Sequence, residues 1–311
     1  MAALYKADLH CHSRFSGRVK HLRFLQARDC YSDPIDVYRR AKKRGMDLVT
    51  ITDHDSIDGC LEVLNHYGDL PDFLMGEEVT ARLPRFRHHI HVGVYGHTEA
   101  QHREIQKLRE NADDLIGYLR QNRLLYALNH FFHDFSNRSR VCEFIERMAE
   151  LFNVFEARNG TLQREHNAFI MALLEQFKRI GRHVSVIAGS DAHTLRRIGR
   201  SFTASPARDR AGFVADIRAG RSQVFGPHSN HLSLAADIYG VVLRYYPTVL
   251  SVRNGEFSRI SRIQKFFLSL AAAPLLFTPY VAALRHMRTE RDRIKQFSQL
   301  VYGHLTATAS S

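Results

Sequence analysis

The chain has 311 residues, with 44 Lys and Arg against 32 Asp and Glu, so its formal net charge is +12 with neutral His. This composition excludes an acidic solvating tail and a disordered polyelectrolyte, and 44% hydrophobic residues can form one large core. The four Cys show no CxxC pairing, and the first residues, MAALYKADLHCHS, lack the features of a secretory signal. We therefore expect a cytoplasmic protein with reduced thiols.

Short apolar runs alternate with stretches of helical periodicity over the first 235 residues. Helices are expected between most of the runs, for example after the Asp33-Pro34 start signal and from Thr161 to Ile180. Seven parallel strands with crossover helices predict a barrel or a doubly wound sheet. The runs predict strands near residues 4–9, 47–52, 73–79, 90–95, 124–129, 152–157 and 183–188, with a weaker one at 222–226.

Side chains that bind metals lie in or just after almost every predicted strand. Because the carboxyl ends of the strands meet at one face of a β/α barrel, these residues are expected to share one site. Imidazoles and carboxylates without a Cys cluster suit Zn²⁺, Mn²⁺ or Fe, whereas any one His alone is as well explained by a structural hydrogen bond. In chain order the residues are His10, His12, Asp53, His54, Glu77, Glu78, His91, His130, Glu156, Asp191 and His193.

Six motifs carry a resemblance to a known family. In order they are ADLHCHS, TDHDSIDG, GEEVT, HIHVGVYG, NHFFHD and GSDAH, and they resemble those of the PHP (polymerase and histidinol phosphatase) superfamily over about residues 7–225. The resemblance implies an α/β fold, a distorted seven-stranded β/α (TIM-like) barrel. It also implies two or three divalent metal ions, Mn, Zn or Fe, and hydrolysis of phosphate esters.

The resemblance also implies a set of metal ligands. The first ion is expected on His10, His12, Glu78 and Asp191. Glu78 is expected to bridge to a second ion, which His91 and His130 also bind. A third ion is expected on His54 and His193.

Two departures from the family pattern affect these ligands. The family has an Asp or His a few residues after HxH, where this chain reads Ser16-Gly17-Arg18. An unusually long stretch, 18–31, follows, and either His21 or Asp29 can fold back as the replacement; otherwise the third ion is weak or absent. Phe131 stands where the family commonly has Pro, which makes His133 a rival ligand to His130.

Catalysis in such a site needs a proton donor and a group that binds phosphate. His193 and His54 are the expected donors to the leaving oxygen, and Asp53 is expected to orient a ligating His, with Glu77 also in a supporting position. A metal-activated water makes a protein nucleophile unnecessary. Guanidinium groups can bind phosphate in a forked geometry, although each is also explained as a surface charge. The candidates are Arg14, Arg158, which we favour, and Arg196 or Arg197.

The C-terminal part has a different composition. Residues 236–311 hold 10 Lys and Arg against 4 Asp and Glu, and we interpret them as a helical, basic appendage to a barrel domain at 1–235. Within it, 266–284 is uncharged over 19 residues, which is close to membrane length, but Pro274 and Pro279 interrupt it. Peripheral membrane contact, a buried helical pair over the barrel and a partner interface are all compatible with this segment.

These observations predict a metal-dependent hydrolase of phosphate esters that acts on a phosphomonoester or a short nucleotide. The alternatives are a sugar or lipid-linked phosphate hydrolase at the membrane surface and a non-catalytic metal-binding adaptor with a degenerate barrel. An amidohydrolase is less favoured, because no Lys at a strand end can serve as a carboxylated bridging ligand. Sequence-specific DNA binding is not expected, since no basic motif is interleaved with aromatic residues.

Overall fold

The computed structural model describes residues 3–17, 27–250, 261–264, 266–267 and 277–309. Strands and helices alternate through most of the chain, as the sequence predicts. In order the elements are β1 (Tyr5–Asp8), α1 (Pro34–Lys43), β2 (Leu48–Val49), α2 (Asp58–Tyr67), β3 (Gly76–Leu83), β4 (His88–Tyr95), α3 (Glu99–Leu108), α4 (Ala112–Gln121), β5 (Leu125–Leu128), α5 (Val141–Leu151), β6 (Val154–Asn159), α6 (Arg164–Arg179), β7 (Ser185–Gly189), β8 (Phe202–Ser205), α7 (Arg210–Arg218), β9 (Gln223–Phe225), α8 (His231–Leu250) and α9 (Thr278–Ala309).

The described strands form two sheets. The four-stranded sheet has the order β2-β1-β8-β9 and the five-stranded sheet the order β3-β4-β5-β6-β7. Pairing is parallel for β1–β2, β5–β6 and β6–β7, but antiparallel for β3–β4, β4–β5, β1–β8 and β8–β9. The mixed α/β architecture is confirmed, whereas the expected all-parallel strand pairing is wrong. Between β3 and β4 the reason is local: a single turn of 3₁₀-helix, Pro84–Phe86, leaves no room for a crossover helix.

The two sheets meet edge to edge, without a continuous ladder of hydrogen bonds that would close a barrel. At one seam Cys11 forms an isolated parallel bridge with Ala192, just beyond the ends of β1 and β7. At the other seam His54 bridges to Glu78. Across the interior, the hydroxyl of Tyr95 donates to the carbonyl of Leu9 at 2.9 Å. Both seams therefore bring predicted site residues together.

The largest core cluster lies between the five-stranded sheet and helices α3 to α6, and α9 contributes to it. Ile294, Phe297 and Val301 of α9 are buried there, and Arg293 donates to the carbonyl of Phe135 at 2.7 Å. Full burial of an apolar side chain stabilises a fold by about 1.5–3 kcal/mol, so these contacts hold α9 on the body of the fold.

The predicted division at residue 235 falls inside α8, which continues across it. Residues 268–276 of the apolar segment 266–284 lie outside the described residues, whereas residues 278–284 form the start of α9. Phe277 and Val281 are exposed there, whereas Ala283 is buried. Among the helices that the structure describes, none combines the length and the apolar character that a membrane span requires.

Candidate metal centre

The strand alternation of β3 and β4 decides which acidic and basic groups enter the site. Glu78 and Thr80 point to the same face of β3, and His91 on β4 pairs with Thr80, so Glu78 and His91 share that face. Glu77 points to the opposite face. His130 and Asp191 follow β5 and β7 with φ of 24° and 49°, values that non-glycine residues seldom adopt. Such backbone strain is concentrated at functional sites.

Side chains from the ends of β1 and β7 and from β3 surround a single point. Ligand atoms on one tetrahedral ion with bonds of about 2.0–2.2 Å are separated by roughly 3.3–3.6 Å. The nitrogen–oxygen separations in this group are close to that range. His10 Nε2 is 3.2 Å from Glu78 Oε2 and 3.6 Å from Asp191 Oδ1, and His12 Nε2 is 3.5 and 3.3 Å from the same two oxygens.

The other oxygen of Glu78 faces a second group. Its Oε1 is 3.4 Å from His91 Nδ1 and 3.0 Å from His130 Nε2. The ring of His133 lies beside both imidazoles, with centroids 4.7 Å away. His133 is therefore adjacent to the second group, but its side chain is 44% exposed, whereas that of His130 is 7% exposed. Glu78 thus stands between two clusters, with one oxygen toward each.

A third group lies on the open side of the site. His54 Nδ1 is 3.1 Å from Glu78 Oε2, while its Nε2 points the other way, 4.0 Å from Asp29 Oδ2. His193 Nε2 is also 4.0 Å from Asp29 Oδ2. Of the two candidates for the missing ligand, Asp29 is therefore at the site, and His21 lies outside the described residues.

Several convergent atoms lack hydrogen-bond partners among the described residues. Buried polar atoms in proteins nearly always have such partners, so a set of unpaired nitrogens and oxygens aimed at common points fits bound cations. The donor chemistry, imidazole and carboxylate, is that of Zn²⁺, Mn²⁺ and Fe. The unpaired atoms include His10 Nε2, His12 Nε2, His54 Nδ1, His91 Nδ1 and Glu78 Oε2.

Polar residues behind the candidate ligands fix their orientation, an arrangement that is common in protein metal sites. Glu156 binds the ring of His10 through Oε1 at 2.9 Å and accepts the backbone N–H of His130 through Oε2 at 2.9 Å. Ser16 Oγ is 2.7 Å from His12 Nδ1. On the other side, the hydroxyl of Thr161 donates to Asp191 at 2.9 Å. Ser16 and Thr161 escaped the sequence analysis because a single hydroxyl near a strand end carries no distinctive pattern.

Buried charges shift the pKa values of the ligands in opposite directions. Burial alone would raise the pKa of Glu78, but His10 and the other imidazoles hold it well below its ordinary value. Burial likewise opposes protonation of His10, yet Glu78 and Glu156 raise its pKa. For His12, burial and then His193 lower the pKa to about 4. The site therefore concentrates carboxylate charge beside imidazoles, and a bound cation would replace the proton that the carboxylates favour on His10.

Two acidic residues with predicted supporting roles have other neighbours. The carboxylate of Asp53 accepts the backbone N–H and the hydroxyl of Ser13, both at 2.6 Å, so its observed contact is to the turn after HxH and not to an imidazole. Burial raises the pKa of Asp53 to about 7. Glu77, on the outer face of β3, lies 3.1 Å from His97 Nε2 and 2.8 Å from His102 Nδ1. It therefore does not orient a ligand of the main site.

The guanidinium groups predicted to bind phosphate are engaged with the protein itself. Arg14 pairs with Asp33 and Glu62. Arg197 is buried and donates hydrogen bonds to the carboxylate of Asp237 and to the carbonyl of Gly160. Arg196 donates to the same carboxylate. Arg158 donates Nη1 to the carbonyl of Gly226 at 2.9 Å and contacts His228, while its Nε has no partner among the described residues. Arg14 and Arg197 thus serve the fold, since carboxylates distant in sequence neutralise them.

Comparison with known proteins supports the resemblance seen in the motifs. A family profile described as PHP-associated matches residues 182–222, which include Asp191 and His193. An uncharacterised protein of Methanocaldococcus jannaschii is 42% identical over 57 residues, 18% of this chain and 33% of that protein. The match therefore spans about a third of the length of this curated relative.

Two solved structures resemble the fold. The first is a two-domain protein from Bacteroides vulgatus containing a predicted PHP-like metal-dependent phosphoesterase, with a TM-score of 0.50, 15% identity, and coverage of 77% of this chain and 70% of that one. PsfC from Pseudomonas syringae has a TM-score of 0.49 and 17% identity, over 85% of this chain and 99% of its own. At 15% identity, the first of these structures indicates a shared fold and leaves activity open. The PHP-associated match at residues 182–222 and the fold shared with the first of these structures agree with the resemblance that the six ordered motifs carry.

Proposed function

We propose that this protein is a metal-dependent phosphoesterase that hydrolyses a phosphomonoester or a short nucleotide. The observation that carries the proposal is the position of Glu78 between two groups of imidazoles. Its Oε2 lies 3.2 Å from His10 Nε2, and its Oε1 lies 3.0 Å from His130 Nε2. A carboxylate with one oxygen toward each of two clusters is suited to bridging a pair of ions.

The chemistry of phosphate esters explains why a pair of cations suits this site. Their uncatalysed hydrolysis is among the slowest known reactions, and two ions about 3.5–4 Å apart neutralise the phosphoryl oxygens and supply a hydroxide at neutral pH. Without cations, the carboxylates of Glu78, Glu156 and Asp191 would repel an anionic substrate in a buried site. The buried acidic set therefore requires cations before it can bind phosphate.

Within this proposal the residues of the chain have distinct tasks. His10, His12 and Asp191 would hold one ion with Glu78, and His91 and His130 would hold the second. Glu156 fixes the ring of His10 by its 2.9 Å contact with Nδ1, which leaves Nε2 directed into the site. Asn129 donates to Glu78 Oε1 at 2.9 Å and keeps the bridging carboxylate in place.

His193 and His54 are the predicted proton donors, and their surroundings bear on that role. Nδ1 of His193 is 3.2 Å from the carbonyl of Asp191, so we place the ring proton on Nδ1 and the lone pair on Nε2. The side chains of His193 and His54 are 27% and 26% exposed, which leaves them accessible to substrate. Because both Nε2 atoms face Asp29, the contacts favour metal ligation by these two residues over proton donation.

The proposal is tested with metal analysis and activity on the same preparations of the full chain. We expect at least two Mn²⁺ or Zn²⁺ per chain and hydrolysis within a panel of p-nitrophenyl phosphate, nucleotides and sugar phosphates, abolished by EDTA. Glu78→Gln is expected to lose both metal and activity, whereas Glu175→Gln, which removes an exposed carboxylate on α6, is expected to retain both. Wild-type protein with one ion or none and no turnover would contradict the proposal and favour the adaptor alternative.

A membrane-linked substrate is a second candidate. Four apolar side chains near the C-terminal helices, Leu243, Phe267, Phe277 and Val281, are between 56% and 78% exposed, and the region is rich in Arg. Basic residues near an anionic surface contribute on the order of 1 kcal/mol each. Co-sedimentation with phosphatidylglycerol vesicles, lost with Phe277→Glu and Val281→Glu together, would support this candidate. Equal sedimentation of wild type and the double variant would remove it.

A further inference from the structure

We propose that Glu77, His97 and His102 form a peripheral metal site that binds Zn²⁺ on the outer face of β3. These residues are separate from the ligands of the main site, because Glu77 points to the opposite face of β3 from Glu78. His97 and His102 also lie outside the six motifs, which end at Gly96 on this part of the chain. The inference therefore concerns a different site and does not depend on the proposed function.

The start of α3 places two imidazoles side by side. Gly96 turns the chain out of β4 with a φ of 75°, which favours glycine. Thr98 caps α3: its side chain accepts the backbone N–H of Gln101, whose side chain contacts the cap in return. His97 thus precedes the cap and His102 is the fourth residue of the helix. Residues at these two positions usually form an apolar contact across the first turn, but here both are imidazoles, with ring centroids 6.4 Å apart.

Glu77 directs one carboxylate oxygen toward each imidazole. Its Oε1 is 3.1 Å from His97 Nε2, and its Oε2 is 2.8 Å from His102 Nδ1. Gln106, one turn further along α3, donates to Oε2 at 2.9 Å and helps to hold the carboxylate in this orientation. The ligand atoms of the three residues lie within 4.8 Å of one another, which is close enough for them to share one ion.

Hydrogen bonding within the cluster leaves three buried atoms unpaired. The side chains of His97 and Glu77 are both 0% exposed. Neither ring nitrogen of His97 has a hydrogen-bond partner among the described residues, and neither has Glu77 Oε1. Because Oε1 and His97 Nε2 are only 3.1 Å apart, they must be poorly aligned for a hydrogen bond. Buried polar atoms without partners are rare and costly, and a cation beside both atoms would compensate for them together.

The chemistry of the three side chains favours Zn²⁺. Two imidazoles and one carboxylate form a common zinc ligand set, which leaves a fourth position for water. The side chain of His102 is 18% exposed, so an ion can enter from that side, and the Nδ1 proton of His102 would pass to solvent when the ion binds. A purely hydrogen-bonded cluster would account for His102 and Glu77 Oε2 but not for His97 and Oε1. A bound ion accounts for all of them and would tie α3 to β3 directly behind Glu78.

The test compares two replacements of His102 that separate metal binding from hydrogen bonding. The amide of Asn donates a hydrogen bond to Glu77 but is a poor ligand for Zn²⁺, whereas an ionised Asp binds Zn²⁺ and cannot donate. Each replacement is made in the full chain that carries Glu78→Gln, in which the bridged pair of the main site should be lost. The metal-stripped proteins are titrated with Zn²⁺, followed by calorimetry and by elemental analysis after desalting. His66→Gln, at an exposed position of α2, is the control.

We expect His102→Asn to bind one Zn²⁺ fewer than its Glu78→Gln parent, and His102→Asp and the His66→Gln control to bind as many as the parent. Zn²⁺ should raise the unfolding temperature of His102→Asp and leave that of His102→Asn unchanged. His97→Gln should also lose one ion. Equal Zn²⁺ content in the parent, His102→Asn and His97→Gln would overturn the inference and show a hydrogen-bonded cluster only. That result would leave the proposed function standing, because the bridged pair is counted separately, as the difference between wild type and Glu78→Gln.

Discussion

Gly189 at the end of β7 lies so close to His10 that a Cβ built on the glycine would be 2.1 Å from the Cβ of His10 and 2.6 Å from its backbone nitrogen. Real side chains do not approach so closely, so the two strands that carry the first and last motifs can meet only if residue 189 is glycine. The proposed metal ligands next to these strands depend on that approach.

Gly189→Ala should therefore displace the end of β1 and weaken metal binding. We expect a loss of about 1–3 kcal/mol in the free energy of unfolding, typical of overpacking, together with reduced Mn²⁺ content. Gly117→Ala is the matched control, because Gly117 lies in α4 with open space around it. It should stabilise the protein by about 0.5–1 kcal/mol. Urea unfolding of both variants checks the prediction, and equal stabilities would contradict it.

Glu156→Gln should lower metal affinity without loss of fold. Glu156 contacts His10 Nδ1 and accepts the backbone N–H of His130, so its charge orients ligands of both clusters. Replacement of groups that orient metal ligands costs typically about 10- to 100-fold in affinity. Competition with a chelator measures this change, with Glu175→Gln as the exposed control on α6. Unchanged affinity for Glu156→Gln would show that the contact has no orienting role.

Phe297→Ala should destabilise the whole fold through α9. The ring is fully buried, with its centroid 5.4 Å from that of Phe132 and 6.1 Å from that of Phe135. Removal of a buried Phe costs about 3–5 kcal/mol, whereas Leu300→Ala, at an exposed position of the same helix, should cost much less. Chemical denaturation measures both. A small effect of Phe297→Ala would mean that α9 is not part of the cooperative core.

His166 should make stability sensitive to acid. Burial, with Arg293 adding to it, lowers the pKa of His166 to about 3, while an unfolded His titrates near about 6.5. Because the folded pKa is the lower one, the stabilising contribution is complete above about pH 6.5 and is lost as the pH falls toward 3. The slope is about 1.4 kcal/mol per pH unit for one proton.

His166→Gln should reduce this acid sensitivity. The groups around His166 include Glu290, whose Oε2 is 3.9 Å from Nδ1, together with Arg293 and His286. Unfolding of metal-free protein at pH 7 and pH 4.5 should show a smaller decrease for His166→Gln than for wild type. His183→Gln, at an exposed position, should behave as wild type. Identical decreases in all three proteins would refute the role of His166.

The convergence of the candidate site residues could be predicted because they occupy fixed places relative to the strands. HxH after β1 and the GSDAH motif after β7 bring His10, His12 and Asp191 close together, because strand ends converge whatever the sequence between them. Partners fixed by tertiary contact were harder to predict. The pairing of Arg197 with Asp237 depends on where α8 lies, and no local pattern encodes that.

The fold, too, was predictable where local pattern determines it and not where tertiary contacts do. Alternating apolar runs predicted most strands, but pairing direction depends on turn length, and the turn between β3 and β4 was missed. The expected supporting role of Glu77 failed for a related reason: adjacent residues on a strand face opposite sides, so Glu77 cannot accompany Glu78 into the site. The choice between His21 and Asp29 depends on how the described residues 27–32 pack against the first motif, which the sequence alone does not determine.

The most direct measurement of the central claim is anomalous X-ray scattering from crystals of the full chain grown with Mn²⁺. We expect at least two peaks, and two of them should lie about 3.5–4 Å apart, one on each side of Glu78, the first bonded to His10 and His12 and the second to His91 and His130. A single peak, or peaks that share no oxygen of Glu78, would contradict the account.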